Sequence, residues 1–240
     1  MISRNSHLRI AALAAAILLA LFAAPDASAQ EDDEVVVSVE SVDTITAPEA
    51  FLRLPQQDLE VLPVATRHDM VDYMKADSCA RVRNVFMGMS WIEEMTPLYM
   101  RVHLSNASNL QIRLLPTPKF GMPIVMTVYT VSTDSITADS TVKFYDNEMN
   151  PLPESPRFKT LEPKQLYDIP KGSDVKLREL LDLMPFYTME LTASPADTSL
   201  RGRTTICDYL TDEQRRLVEP YLRKEFLWNW DGKRFRLDGK

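Results

Sequence analysis

The chain reads as an α+β protein, built mainly of antiparallel β hairpins packed against a few short helices, with room for two similar subdomains. Three observations carry that reading. Apolar and polar residues alternate in Leu98–Leu104 and again in Leu110–Leu115, around the turn-forming run Ser105-Asn106-Ala107-Ser108-Asn109. Near the C-terminus, Asp231-Gly232 separates two further alternating segments, the strongest short-range hairpin signal. Strand and helix patterns are mixed without the regular βα alternation of a parallel sheet.

Taken in order, the elements begin with a leader at residues 1–29. Arg4 and Arg9 form a basic start, Ile10 through Ala24 an uncharged apolar run, and Ala27-Ser28-Ala29 a small-x-small cleavage site. The run is too short, and followed by too acidic a segment, to span a membrane. The mature chain is expected to start at Gln30 and to be exported, to the periplasm or the extracellular space. Residues 30–46 hold the tail Glu31-Asp32-Asp33-Glu34, extended by like-charge repulsion, and a candidate edge strand at Val35–Val42.

Residues 47–150 read as a helix-plus-sheet subdomain. Pro48, Pro55 and Pro63 punctuate helical turns near Glu49–Leu52 and Gln57–Leu62. Thr66 is the expected cap of a helix that carries Met70, Val71 and Met74 on one face and ends before Cys79. The 98–115 hairpin follows, with one wet face. Ile124–Val131, apolar on both faces, suits a central strand, and Thr141–Tyr145 should pair with it.

Residues 151–172 form a proline-rich connection without apolar periodicity, either a boundary or a segment wrapping along the sheet. Residues 173–240 read as a second helix-plus-hairpin subdomain. Leu177, Leu180, Leu181 and Met184 make a helical stripe, with Ser173 as the expected cap. Strands are expected at Phe186–Thr192 and Thr204–Cys207, around a loop Ala193–Gly202. Thr211-Asp212-Glu213-Gln214 is a capping box, and Pro220 should end the helix it opens. A two-residue Asp231-Gly232 turn would pair Trp230 with Lys233 and Trp228 with Phe235. Phe226, Trp228, Trp230, Phe235 and Leu237 would then share one face, buried against a helix. Such an aromatic stripe is either core or a glycan-stacking platform, and its regular alternation favours core.

Composition excludes some partners. The formal net charge is −7, and loss of the leader makes the chain more acidic, which disfavours nucleic acid and anionic lipid. Six scattered glycines build neither a dinucleotide fingerprint nor a P-loop, so no cofactor is expected. Gly88-Met89-Ser90-Trp91-Ile92 lacks the second glycine of a nucleophile elbow. No catalytic residue can be assigned. His68 and Asp72 stand one helical turn apart, but zinc needs three or four ligands and none is spelled out, so they read as a solvated helix face with Arg67 and Lys75.

The remaining candidates are a ligand or partner surface and two covalent features. Arg101, His103 and Arg113 cluster on the hairpin's polar face, where positive charge would attract an anionic group. An exporting compartment permits a Cys79–Cys207 disulfide; the alternative is two separate buried thiols, since nothing in the sequence brings the sites together. Asp43-Thr44-Ile45, Asp134-Ser135-Ile136 and Asp139-Ser140-Thr141 fit a pattern of Asp, Ser or Thr, then a small or apolar residue, which would place O-linked glycans on Thr44, Ser135 and Ser140.

The stretches Arg67-His68-Asp69-Met70-Val71-Asp72, Leu98-Tyr99, Leu114-Leu115-Pro116, and Asp139-Ser140 with Phe144-Tyr145-Asp146 together resemble a secreted Bacteroidales family, domain of unknown function 3256. They span Leu54 to Leu152. The resemblance implies a Gram-negative envelope location and brings no catalytic residues with it. The functional expectation is an exported, non-catalytic envelope protein that binds an envelope protein or glycan through a sheet face or loop. The alternative is a hydrolase of an envelope polymer, with carboxylates distant in sequence that meet only in space.

Overall fold

Antiparallel pairing between sequence neighbours organises the molecule. The computed structural model describes residues 44–118, 122–132, 137–184 and 186–239. The expected leader, acidic tail and Val35–Val42 strand, together with Ser135, lie outside the described residues.

Seven strands form one sheet in sequence order: β1 (Val82–Arg83), β2 (Met89–Met95), β3 (Tyr99–Ser105), β4 (Ser108–Leu115), β5 (Ile124–Ser132), β6 (Ala138–Tyr145) and β7 (Pro151–Leu152). A four-stranded sheet holds β8 (Met189–Ala193), β9 (Ser199–Thr204), β10 (Glu225–Trp230) and β11 (Phe235–Leu237), again neighbour to neighbour. Four short helices accompany them: α1 (Ala47–Arg53), α2 (Val64–Lys75), α3 (Leu177–Leu183) and α4 (Asp212–Val218). The class is α+β, as the sequence patterns require.

The large sheet is covered on both sides, which accounts for its composition. Met100, Val102, Leu104, Leu110, Ile112, Leu114 and Val125 face α1 and α2, with Phe51, Leu62, Met70 and Val71 in the same cluster. The opposite face puts Tyr99, Leu115, Met126, Val128, Val142 and Phe144 against the small sheet. A strand covered on both faces must be apolar on both, as β5 is where Val125 faces the helices and Met126 and Val128 face the small sheet. The proline-rich segment wraps beneath the small sheet, burying Phe158, Leu161, Leu166 and Tyr167 in the shared core. Phe158 meets Trp228 and Phe235 edge-on, with centroids 5.5 and 6.2 Å away.

The expected wet face of the β3–β4 hairpin is dry over half its width. Gln111 and Arg113 are only 2% and 5% exposed. They serve the edge strand β8, whose outward backbone groups would otherwise be buried without partners. Met189 N donates to Asp139 Oδ1 (3.1 Å), Leu191 N to Ser140 Oγ (2.9 Å) and Ala193 N to Gln111 Oε1 (2.9 Å). Gln111 Nε2 donates back to the Leu191 carbonyl at 3.3 Å, and Arg113 reaches the Pro195 carbonyl at 3.3 Å. Side chains of the large sheet thus complete the ladder of the small one.

Arg67, expected on a solvated helix face, is fully buried. It donates to the carbonyls of Leu54 (2.6 Å), Leu62 (2.8 Å), Leu59 (3.3 Å) and Phe51 (3.4 Å), and to Gln56 Oε1 (3.2 Å). These acceptors come from the end of α1, from the following 3-10 turn and from the residues just after it, so one guanidinium ties carbonyls at a helix end to the segment that leads into α2. Burial pushes its pKa below the ordinary arginine value.

Several local expectations are corrected. Thr66 caps nothing: α2 starts at Val64, directly after Pro63. Ser173 accepts from Val175 N in a local turn, and α3 begins only at Leu177 without a side-chain cap. Residues 206–209 form a 3-10 turn rather than a strand, while β9 begins inside the expected loop, at Ser199, and ends at Thr204. The C-terminal hairpin pairs Trp230 with Phe235 and Trp228 with Leu237, two residues from the expected register. Asp231 is the reason. Its carboxylate accepts from the backbone of Lys233 and Arg234 (2.9 Å each) and from Arg236 Nε (2.7 Å), holding a wider four-residue turn. A shift of two preserves the faces, so Phe226, Trp228 and Phe235 are still buried, with Phe158 of the proline-rich segment rather than a helix against Trp228 and Phe235. Thr211 caps α4 as the box predicts.

Candidate functional site

The β1–β2 hairpin displays Phe86 and Met87, the most exposed large apolar residues among those described. Val85, Phe86 and Met87 stand consecutively at its tip, 50%, 72% and 68% exposed, with Met89 partly open beside them. The tip is fixed by one buried side chain, Asn84. Its Nδ2 donates to the Leu104 carbonyl (2.8 Å) and Ser90 Oγ (3.1 Å), and its Oδ1 accepts from Phe86 N and Gly88 N (3.0 Å each). Four bonds to one amide are its full ordinary capacity. Met87 sits at φ 65°, a left-handed conformation that this network holds in place. Gly88 lies against the same amide, because a Cβ there would come 3.1 Å from Asn84 Nδ2.

Below the tip, the uncovered end of the same sheet face carries a cationic and aromatic ledge. Trp91 and His103 stack at 3.6 Å with an interplanar angle of 16°, and the Arg81 guanidinium lies 4.4 Å over the Trp91 ring. Arg101 Nε is 2.8 Å from Glu93 Oε2, whereas His103 Nδ1 is 3.8 Å from Glu93 Oε1, too far for a hydrogen bond. His103 Nε2 and, on the residue paired across the ladder, Asn109 Oδ1 are both buried without a partner. Burial lowers the His103 pKa, with Arg81 and Arg101 acting the same way and Glu93 opposing them. The imidazole is therefore neutral at pH 7, and the ledge's charge comes from its arginines.

Arg101 and His103 thus lie where the alternation places them, but Arg113 is in the interior, bonded to the carbonyls of Leu98 and Pro195. The three do not form one surface. Cys79 and Cys207 are not joined: Cys79 Sγ donates to the Ile92 carbonyl beside β2, and Cys207 lies in the 3-10 turn after β9. The Ser140 hydroxyl bonds Thr130 and accepts from Leu191 N between the sheets, where a glycan would force them apart, so Ser140 does not suit the O-glycan expected there. Thr44 is exposed. Ser90 is buried, donating to the Leu104 carbonyl at 2.6 Å, and is no nucleophile elbow. His68 and Asp72 face solvent, and no group of three His, Cys, Asp or Glu residues that could hold a metal occurs among the described residues. Nor is any described helix long and apolar enough to cross a membrane.

Sequence reasoning missed the tip. The signal was there: Val85-Phe86-Met87 is an apolar run too short for an element, bracketed by Asn84 and Gly88. Elsewhere, the outer face of the small sheet holds an open cleft of about 730 Å³, where Glu190 is paired with Arg203 (2.8 and 3.1 Å). A smaller cleft of about 280 Å³ lies between the 3-10 turn at Gln56–Asp58 and β4–β6.

Among solved structures, a domain of an uncharacterized protein from Porphyromonas gingivalis W83 is similar, with a TM-score of 0.68 and 18% identity over 80% of this chain and 98% of that one. At that identity the likeness concerns the fold alone. No curated protein matches. The model of the family described as "Protein of unknown function (DUF3256)" matches residues 39–235, nearly the whole of the folded chain. The chain belongs to that family.

Proposed function

We propose that this chain is an exported, non-catalytic cell-envelope protein that binds another envelope protein through the β1–β2 hairpin. The observation that carries the reading is the tip itself. Three consecutive large apolar residues are held in water by a buried, fully bonded Asn84 rather than folded back into the core. The surrounding composition suits an interface: Phe, Met, Trp and Arg are enriched in protein interfaces, lysine is depleted there, and lysine is missing from the ledge. A partner of matching chemistry has an apolar pocket for Phe86 and an acidic rim for Arg81. The leader at residues 1–29 supports export.

The test replaces Phe86 and Met87 with serine and compares affinity isolation from the native envelope with wild type and with an Arg203→Ser control. A partner retained by wild type and control but lost from the double variant is the expected result. An unchanged set of recovered proteins overturns the reading. Mass spectrometry of the native protein should show a mature start at Gln30; retention of residues 1–29 would sink the export part.

A further inference from the structure

The helix layer covers only part of the large sheet. Helix α1 packs over β3 and β4, and on the same face β5 and β6 are buried at Val125, Thr127 and Tyr145 but reach solvent at Tyr129, Thr141 and Lys143. There the cross-strand pairs Thr127–Lys143 and Tyr129–Thr141 lie beside Asp58, and together they bound the 280 Å³ cleft. Leu110 and the half-buried ring of Tyr129 supply apolar surface. Asp58 accepts from Lys143 Nζ at 2.5 Å and from the Tyr145 hydroxyl at 3.0 Å, so its position is set from two directions. Tyr145 is itself almost wholly buried, and burial next to the Asp58 carboxylate keeps its phenol protonated at neutral pH and able to donate.

We infer that this cleft is a binding site for a neutral saccharide unit, separate from the hairpin contact. Three features select that class. The ion pair of Asp58 and Lys143 cancels its own charge, leaving nothing to draw in an ionic ligand. The polar groups are mixed: Asp58 keeps free lone pairs, Lys143 keeps two more protons, and Thr141 and Gln57 each offer a donor and an acceptor. A pyranose presents the complement, hydroxyls that both donate and accept around a C–H face. Tyr129 gives that face an aromatic surface to lie on. A concave site with apolar lining and a few convergent polar groups is how small-ligand sites are built.

The experiment titrates the mature protein with glucose, galactose, mannose and N-acetylglucosamine, and with their short β-linked oligomers, following amide shifts by NMR. Saturable shifts confined to Thr127–Tyr129, Thr141–Lys143 and Gln57–Asp58 are expected. Tyr129→Ala should weaken binding about tenfold or more, while Tyr129→Phe should retain it. Thr141→Val, a conservative exposed change, gives a second measure should Tyr129→Ala fail to fold, and should weaken binding severalfold. No saturable shift with any of these sugars overturns the inference, as does saturation at a different surface. Tighter binding of galacturonic acid than of galactose overturns the neutral class. Phe86→Ser should leave sugar binding unchanged, so the two proposals fail or stand separately.

Discussion

Replacing Arg67 with methionine removes a buried donor and nothing else of comparable volume. The acceptors it leaves behind set the cost. Leu59 and Leu62 carbonyls retain Gln56 Nε2 at 3.2 and 3.5 Å, and Leu59 also keeps the Leu62 amide. The carbonyls of Leu54 and Phe51 lose their guanidinium bonds of 2.6 and 3.4 Å at a helix end closed to water. An unsatisfied buried polar group costs about 1–3 kcal/mol. Two such groups, with weakened bonding at the other two, give a loss of about 3–5 kcal/mol once the removed cost of burying the cation is set against them. That is a large share of the roughly 5–15 kcal/mol that holds a typical domain together. Urea unfolding followed by tryptophan fluorescence measures it, through a lower midpoint at unchanged slope. Arg67→Lys should recover only part of the loss, because a single ammonium cannot span acceptors on both α1 and the 3-10 turn. A loss below about 1 kcal/mol for Arg67→Met would show that water replaces the guanidinium, refuting its role as the joint between α1 and α2.

Other outcomes follow from the same structure. Gln111→Leu should destabilise by about 2–4 kcal/mol in denaturant unfolding, since Ala193 N and the Leu191 carbonyl lose their partner inside the sheet-to-sheet core. Gly202→Ala should cost about 1–3 kcal/mol, because the new Cβ would lie 2.7 Å from the Trp228 ring and 2.8 Å from Met189 Sδ; a neutral result would mean that these two side chains of the small sheet move aside easily. In α3, Leu180→Ala should cost about 2–5 kcal/mol and Leu181→Ala clearly less, as only Leu180 is fully buried; equal losses would show a helix rotated from this position. The His103 imidazole should titrate by NMR below the ordinary histidine value, because burial outweighs Glu93. Its folded pKa is depressed, so its contribution to stability is complete above the unfolded pKa and is lost as pH falls through the folded one. A midpoint above the ordinary value would mean that Glu93 prevails.

Local chemistry was enough to read much of the chain. Alternation in Leu98–Leu115, the two-sided apolarity of Ile124–Val131 and the Thr211 box each name their element, because hydrogen-bonding period and capping are set within a few residues. The aromatic face of the last hairpin was legible for the same reason, even though Asp231 moved its register by two. Family membership was legible in part from short motifs spread over half the chain. What the tertiary structure decided concerns polar residues. Arg67, Gln111 and Arg113 look like surface in a sequence and lie in the interior, because each satisfies backbone groups from a distant segment. The tip at Val85–Met87 runs the other way: a short apolar run, which no local pattern assigns to an element, stays in water because Asn84 is bonded to Leu104 across the sheet. Periodicity reports how a segment meets its neighbours in sequence. Which buried donor meets which distant acceptor depends on where the chain closes, and that is decided only when the sheets and helices pack.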